Sequence, residues 1–306
     1  MTAAGKRVTV GRMPGWMRSR ERGSLFWLRV MSLISLAFGR RVSRLALGFG
    51  AAYFVLAAGD ARRASRAWLQ RALRRPVGLR DVYRHMRAFA CTIHDRVYLL
   101  NDRHALFDVR VMGGEALRGR NLGGQGCFLF GAHLGSFEVL RALARNQPQL
   151  KVSIAMYPGN AQRIQSVLAA INPQLVQDII AIGQLDSMLT VRDRICDGAL
   201  VGILADRASG PDQYLTLPFL GEPAEFPTGP FRMAVMLGHP VYFMAGLYRG
   251  GNRYDVHFEL LDGAVGAVTR EAAVEALMRR YVEVLERHSL DAPYNWFNFF
   301  DFWERH

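Results

Sequence analysis

The chain has 306 residues, 50% hydrophobic and 21% charged, with a formal net charge of +13. That length buries a large core, and the balance argues against a disordered or fibrous chain. Cys91, Cys127 and Cys196 are far apart and form no CxxC pair, which argues against a disulfide framework or a cysteine zinc site and fits a reducing compartment.

The charge is unevenly placed. Residues 1–100 hold 20 Lys and Arg against 4 Asp and Glu, whereas residues 101–306 hold 19 against 22. The same basic third carries the apolar runs Leu25–Leu28, Val30–Phe38 and Leu45–Ala58. Basic residues interleaved with aromatic and aliphatic ones describe a segment lying at an anionic bilayer surface. A spanning helix needs roughly 20 consecutive apolar residues, and Arg29, Arg40, Arg41 and Arg44 interrupt the count. Two interfacial helices or a shallow hairpin fit that spacing better than a single span over 45–59. Arg18, Arg20 and Arg22 precede an apolar stretch with no small-x-small cleavage site before Arg40. This reads as a retained anchor with its basic flanks on the cytoplasmic side. Nucleic acid would require a binding motif, and none is present. Residues 60–96 read as helices with a strongly positive face suited to anionic phospholipid or a small acidic protein.

From about residue 105 short β-like runs alternate with helical ones, the pattern of an α/β domain with a largely parallel central sheet flanked by helices. The expected division is therefore a membrane-associating helical region, 1–100, and a catalytic domain, 101–306. Strands are expected at 108–112, 127–132, 151–156, 179–182, 199–204, 240–248 and 254–259. Helices are expected near 139–146, 161–171, 185–197, 228–238 and 270–288. The glycines of 113–126 precede a strand instead of following one, so they make no dinucleotide loop.

Gly131-Ala-His133-Leu-Gly135-Ser136-Phe137-Glu138 follows the apolar run Cys127–Phe130. His133 thus sits at a strand-to-helix junction, where α/β enzymes keep their chemistry. An imidazole titrates near neutral pH and suits proton abstraction, and Glu138, on the first turn of the helix, is expected to orient it. No GxSxG elbow and no phosphate loop occur, so Ser136 reads as a helix cap. His85, His94, His239 and His257 read as structural, and no histidine pair has the i,i+4 metal spacing. A second strand end delivers Asp206-Arg207 to the edge where His133 is expected. Residues 217–230, rich in proline and apolar bulk, read as a packed loop before a helix.

In this order the blocks resemble the lipid A biosynthesis lauroyl/myristoyl acyltransferase family, within the lysophospholipid acyltransferase-like superfamily. They are the basic apolar N-terminus, Gly113-Gly-Glu115, His133 with Glu138, Tyr157-Pro158, Leu204-Ala-Asp206, Pro218-Phe219-Leu-Gly221, Thr228-Gly229, Tyr281–Glu286 and Pro293-Tyr-Asn-Trp296. The resemblance implies a glycerolipid acyltransferase-like fold at the cytoplasmic face of a bacterial inner membrane. It implies transfer of an acyl chain from acyl carrier protein or acyl-CoA to a lipid hydroxyl, with no metal or other cofactor. His133 would be the general base, Glu138 its partner, and backbone donors near Gly131–Gly135 the oxyanion stabilisers. Gly135, Ser136, Tyr157, Arg163, Asp206, Arg207 and Thr228 would line the substrate.

The chain departs from that family at Ser136 and Phe137, where asparagine and tryptophan are usual, and at Pro158, where arginine is usual. Phe297-Asn-Phe-Phe-Asp301-Phe-Trp303 stands where basic residues usually follow the tryptophan. Lost cations open the acceptor to another glycolipid, an aminolipid or a polyene pigment lipid beside a lipid A precursor. Acyl ester or thioester hydrolysis uses the same residues with water, and the remaining alternative is non-enzymatic, with 1–100 a membrane or nucleic-acid binding module and the α/β part an inactive scaffold.

Overall fold

A computed structural model describes residues 25–303 apart from 123, 146–149, 173–177, 184, 208–212 and 263–268. The basic residues before Leu25 lie outside this set.

Three helices open the chain: α1, Leu25–Ala57; α2, Gly59–Leu73; and α3, Leu79–Leu99. Then come β1 (Asp108–Met112), α4 (Gly114–Leu122), β2 (Cys127–Gly131), α5 (Phe137–Arg145), β3 (Val152–Met156), α6 (Pro158–Ile171), β4 (Ile179–Ala181), α7 (Leu185–Cys196) and β5 (Leu200–Leu204). A hairpin of β6 (Tyr214–Phe219) and β7 (Glu222–Pro227) precedes α8 (Gly229–Leu237), β8 (Val241–Gly250), β9 (Arg253–Leu260) and α9 (Arg270–Asp291).

Among the described residues the main sheet has seven strands in the order β1-β9-β8-β2-β5-β3-β4. β8, β2, β5, β3 and β4 run parallel, while β9 is antiparallel to β8 and carries β1 parallel to itself. The expected strands therefore form, within a residue or two at their ends. β2 and β5 read as unbroken apolar runs because helices cover both faces of a parallel sheet. On one face Phe128, Phe130 and Phe243 pack with Phe231 and Tyr281; on the other Leu129, Tyr242 and Met244 pack with Val139 and Leu140. The parallel strands bring the ends of β2, β5 and β3 to one edge.

Two segments differ from the expectation. The proline-rich stretch forms the β6/β7 hairpin, turned through Leu220 and Gly221, both at positive φ (53° and 82°). A two-stranded ribbon tolerates Pro218 and Pro223 because it is all edge. Within the glycine cluster, 114–122 is helical.

The N-terminal third is bent. Gly39 adopts φ 80° and ψ 164° within α1, and α1 meets α2 at 97°. No single described helix is long and apolar enough to cross a bilayer; only the bent pair of α1 and α2 reaches that length and composition. Leu33, Phe38, Leu45, Phe49 and Leu56 are largely exposed along α1. Arg40 and Arg44, which interrupt the apolar run, turn inward. Both bind the fully buried carboxylate of Asp95 on α3, at 2.7 Å each, and Tyr254 donates to the same carboxylate at 2.7 Å. A carboxylate removed from water requires such partners. Both arginines also donate to the Gly251 carbonyl between β8 and β9, so α1 is stapled to α3 and to the sheet.

Replacing Asp95 by alanine leaves two guanidinium groups facing a buried hole. It is expected to destabilise the fold by about 3 kcal/mol or more, read as a lowered thermal midpoint; an unchanged midpoint contradicts the staple.

Candidate active site

Beyond Gly131 the chain turns through residues 132–136 into α5. Gly135 has φ 74°, and a Cβ there would lie 2.1 Å from the Gly246 carbonyl oxygen. The Ser136 N–H donates to that oxygen at 2.7 Å, and a Cβ on Gly246 would lie 2.4 Å from the Ser136 carbonyl. Two backbones touch here, and only glycine fits on either side. β5 closes against the same turn, since Ala205 N–H donates to Gly131 O at 2.9 Å and the Tyr281 hydroxyl donates to it at 2.8 Å.

These contacts set Asp206 beside His133. The His133 Nδ1–H donates to Asp206 Oδ1 at 2.8 Å, and the His133 backbone N–H donates to Oδ2 at 3.1 Å. Asn298 Nδ2 donates to the same Oδ2 at 3.0 Å. Burial alone would raise the Asp206 pKa, but His133, Arg207 and Asn298 outweigh it and hold this carboxyl well below the usual carboxylate range. Burial and the Arg207 charge depress the His133 pKa against the pull of Asp206, so the imidazole is neutral near pH 7. Its Nε2 bonds nothing among the described residues, and 26% of its side-chain surface is open. A neutral imidazole with Nδ1–H tied to a carboxylate and Nε2 unbonded is the form that accepts a proton.

Glu138 lies elsewhere. It is buried on α5, accepts from Arg141 Nη1 at 2.8 Å, and has Arg96 Nε 3.3 Å from its other oxygen. The expectation that it orients the imidazole meets a ring nitrogen already bonded to Asp206. The physical reason is the two cations: a buried carboxylate seeks charge before a neutral ring.

A C-terminal strap completes the site. Gly135 N–H donates to Asn295 O at 2.8 Å, and Phe297 N–H donates to His133 O at 2.7 Å. The Asn295 side chain binds both Tyr248 N–H and Tyr248 O, which ties the strap to β8. Fully buried His85 accepts from Ser65 at Nδ1 (2.9 Å) and donates from Nε2 to Trp296 O (3.0 Å), and Trp68 Nε1 donates to Pro293 O (2.7 Å). Sequence reasoning missed Asn295, Asn298 and Tyr281 as site-builders. Tyr281 and Asn295 stood only within the blocks that carry the resemblance, and Asn298 within the aromatic run that follows them.

Of the other expected residues, Gly135 and Ser136 shape the turn through their backbones. Arg207 reaches His133 electrostatically, and its guanidinium carbon lies 5.5 Å from the centre of the Phe300 ring. Tyr157 lies at the same sheet edge beyond β3, next to the start of α6. Thr228 stands at the start of α8 with its hydroxyl buried and unbonded. Arg163 is on α6, and its side chain lies outside the described set. The backbone N–H groups of His133, Gly135 and Ser136 are committed to protein acceptors, which removes them as oxyanion donors. Among the described residues no three His, Cys, Asp or Glu side chains are grouped to hold a metal.

A family model described as bacterial lipid A biosynthesis acyltransferase matches residues 19–305. No curated protein matches the chain.

Two buried histidines, His85 under the strap and His288 stacked on Phe243, make stability pH-dependent. Burial lowers the pKa of His85 to about 4, and that of His288 likewise to about 4. Folded values below the unfolded value of about 6.5 mean that unfolding takes up protons, so the stability is complete above pH 6.5 and lost as pH falls toward 4. The thermal midpoint is expected to fall steadily from pH 7 to 4.5, and His288→Phe to reduce that slope; a flat profile contradicts the burial.

Proposed function

The chain belongs to the bacterial lipid A biosynthesis acyltransferase family, and from that premise we propose that it moves a fatty acyl group from a thioester, acyl carrier protein or acyl-CoA, to a hydroxyl of a membrane lipid. The observation that carries this reading is the His133–Asp206 pair at the sheet edge with Nε2 unbonded. Nε2 takes the acceptor hydroxyl proton as its oxygen attacks the thioester carbonyl. The tetrahedral intermediate then expels the thiolate, which takes the proton back from the imidazolium. Asp206 stays ionised throughout, holding the tautomer and stabilising the imidazolium. Arg207, whose charge reaches His133, supplies the positive field for the oxyanion in place of the committed backbone donors.

An apolar cavity, open to solvent at its mouth, is lined by Leu117, Leu129, Phe137, Leu140, Gly202 and Met244 among others. Leu129 and Gly202 each stand four residues before His133 and Asp206, a chain reach of at most about 14 Å. That position suits the acyl chain. Arg141 also lines the cavity, and Glu138 neutralises it. In this reading residues 101–306 carry catalysis. Residues 1–100 lie on the cytoplasmic face of the inner membrane, with the exposed apolar side of α1 in the lipid and the exposed arginines of α2 and α3, among them Arg66, Arg80 and Arg87, toward anionic headgroups or the acidic carrier protein.

A lipid A precursor is the acceptor the family suggests. An acceptor without phosphate groups, such as another glycolipid, an aminolipid or a polyene pigment lipid, is favoured by one observation: the strap beside His133 continues in aromatic rings, Phe297 and Phe299 packed against Phe89, and none of its own residues from Phe297 to Trp303 is a cation.

Protein mixed with carrier protein bearing a labelled fatty acid and vesicles of bacterial lipid extract is expected to label a lipid. His133→Ala and Asp206→Asn are expected to lower turnover by about 10³-fold or more. Glu138→Gln, which leaves Arg141 and Arg96 unneutralised, is expected to lower the thermal midpoint and to cost less turnover per folded molecule. Free fatty acid released at the same rate without acceptor would indicate hydrolysis, and full transfer by His133→Ala would overturn the assignment.

A further inference from the structure

Asp206 has three donors, and two belong to His133 itself. The third, the Asn298 amide, comes from the far end of the chain. We propose that Asn298 is a positioning residue for the transfer reaction: it holds the Asp206 carboxylate in the one rotation that presents Oδ1 to His133 Nδ1. The proposal rests on the acyl-transfer reading above.

The geometry is one-sided. Asn298 is 2% exposed, and its Nδ2 lies 3.0 Å from Asp206 Oδ2. Its Oδ1 makes no hydrogen bond among the described residues, so Asp206 is the one polar group this side chain serves. Turning the amide over would set oxygen against carboxylate oxygen, which fixes its orientation. Oδ2 therefore carries two donors, the His133 backbone N–H and Asn298, while Oδ1 is left to the ring. Without Asn298, Oδ2 keeps only the His133 backbone donor, and among the described residues no group other than His133 holds the carboxylate.

The strap also times the two contacts together. Phe297 N–H holds the His133 carbonyl, and the next residue holds the carboxylate that His133 uses. Both ends of the pair are set from adjacent residues, so the distance between them is not free to drift. A neutral amide suits this task better than a cation. An arginine at 298 would compete with the imidazolium for the carboxylate charge, whereas an amide restrains the group and leaves the charge to His133.

Removing the donor is expected to have two effects that mere loss of packing would not produce. The carboxylate explores other rotations, so turnover falls. Its charge, no longer shared with Asn298, bears more fully on His133 when the two do meet, so the imidazole holds its proton to higher pH.

The test uses the full-length protein with Asn298→Leu, close in shape and lacking the donor, and with Asn298→Ala, which adds no bulk should the leucine disturb folding. The first reading is transfer from myristoyl carrier protein into vesicles of bacterial lipid extract. The second, which needs no substrate, is the pH dependence of diethyl pyrocarbonate modification at His133, followed by peptide mass. Turnover is expected to fall about tenfold or more with KM for the carrier thioester within about twofold. The modification midpoint is expected to rise by about half a pH unit or more. A loss of turnover equal at every pH, with an unmoved midpoint, would show a packing role only and overturn the proposal, as would wild-type turnover. Wild-type protein and His133→Ala run in parallel separate the two claims: if wild type labels no lipid the acyl-transfer reading falls, and if His133→Ala transfers normally the role of His133 as base falls, whereas if His133→Ala is inactive and the Asn298 variants match wild type, only this assignment falls.

Discussion

A carboxylate buried at the sheet edge must find donors or lose its charge, and Asp206 finds them in three places. The His133 ring, the His133 backbone and the Asn298 amide all converge on it. The first two come from the exit of β2, the third from the C-terminal strap, and the carboxylate itself rides on the exit of β5. Burying the charge therefore obliges three distant parts of the chain to meet. The close approach of Gly135 to Gly246, the Tyr281 bond to Gly131 and the Asn295 bonds to Tyr248 all support that meeting.

The same logic recurs in two other buried carboxylates. Asp95 takes Arg40, Arg44 and Tyr254, and so fastens the apolar α1 to the helix and sheet beneath it. Glu138 takes Arg141 and Arg96 at the wall of the apolar cavity. Part of the basic excess in the first hundred residues is thus spent inside the fold, on carboxylates, and part stays outside on α2 and α3. Net charge alone does not tell these apart. What separates them is whether an acidic partner lies buried within reach of the guanidinium group.

The strands of the main sheet were legible because a parallel sheet covered on both faces demands unbroken apolar runs, and β2 and β5 are such runs. The β6/β7 hairpin was not, because Pro218 and Pro223 signal loop, and only the two-residue turn at Leu220-Gly221 permits a ribbon that is edge on both sides. His133 and Asp206 were each visible as polar residues delivered by apolar strands to one edge. Their pairing was not, since sequence distance favours Glu138, five positions away, over Asp206, seventy-three away. The helix start that seemed to aim Glu138 at the ring instead turns it to Arg141 on the next turn of α5 and to Arg96 on α3. Asn298 carried no signal of its own in a run of phenylalanines; its role comes from the strap's path, which is a property of the whole fold.

The central claim is that the Asp206 carboxylate, and not that of Glu138, keeps the His133 proton on Nδ1 and leaves Nε2 to act as base. Nitrogen NMR of protein labelled in its histidine rings reads that tautomer directly. The account predicts a protonated Nδ1 and a bare Nε2 at His133 near pH 7.5, a pattern lost in Asp206→Asn and kept in Glu138→Gln. A proton on Nε2, or a tautomer that follows Glu138 and ignores Asp206, would contradict it.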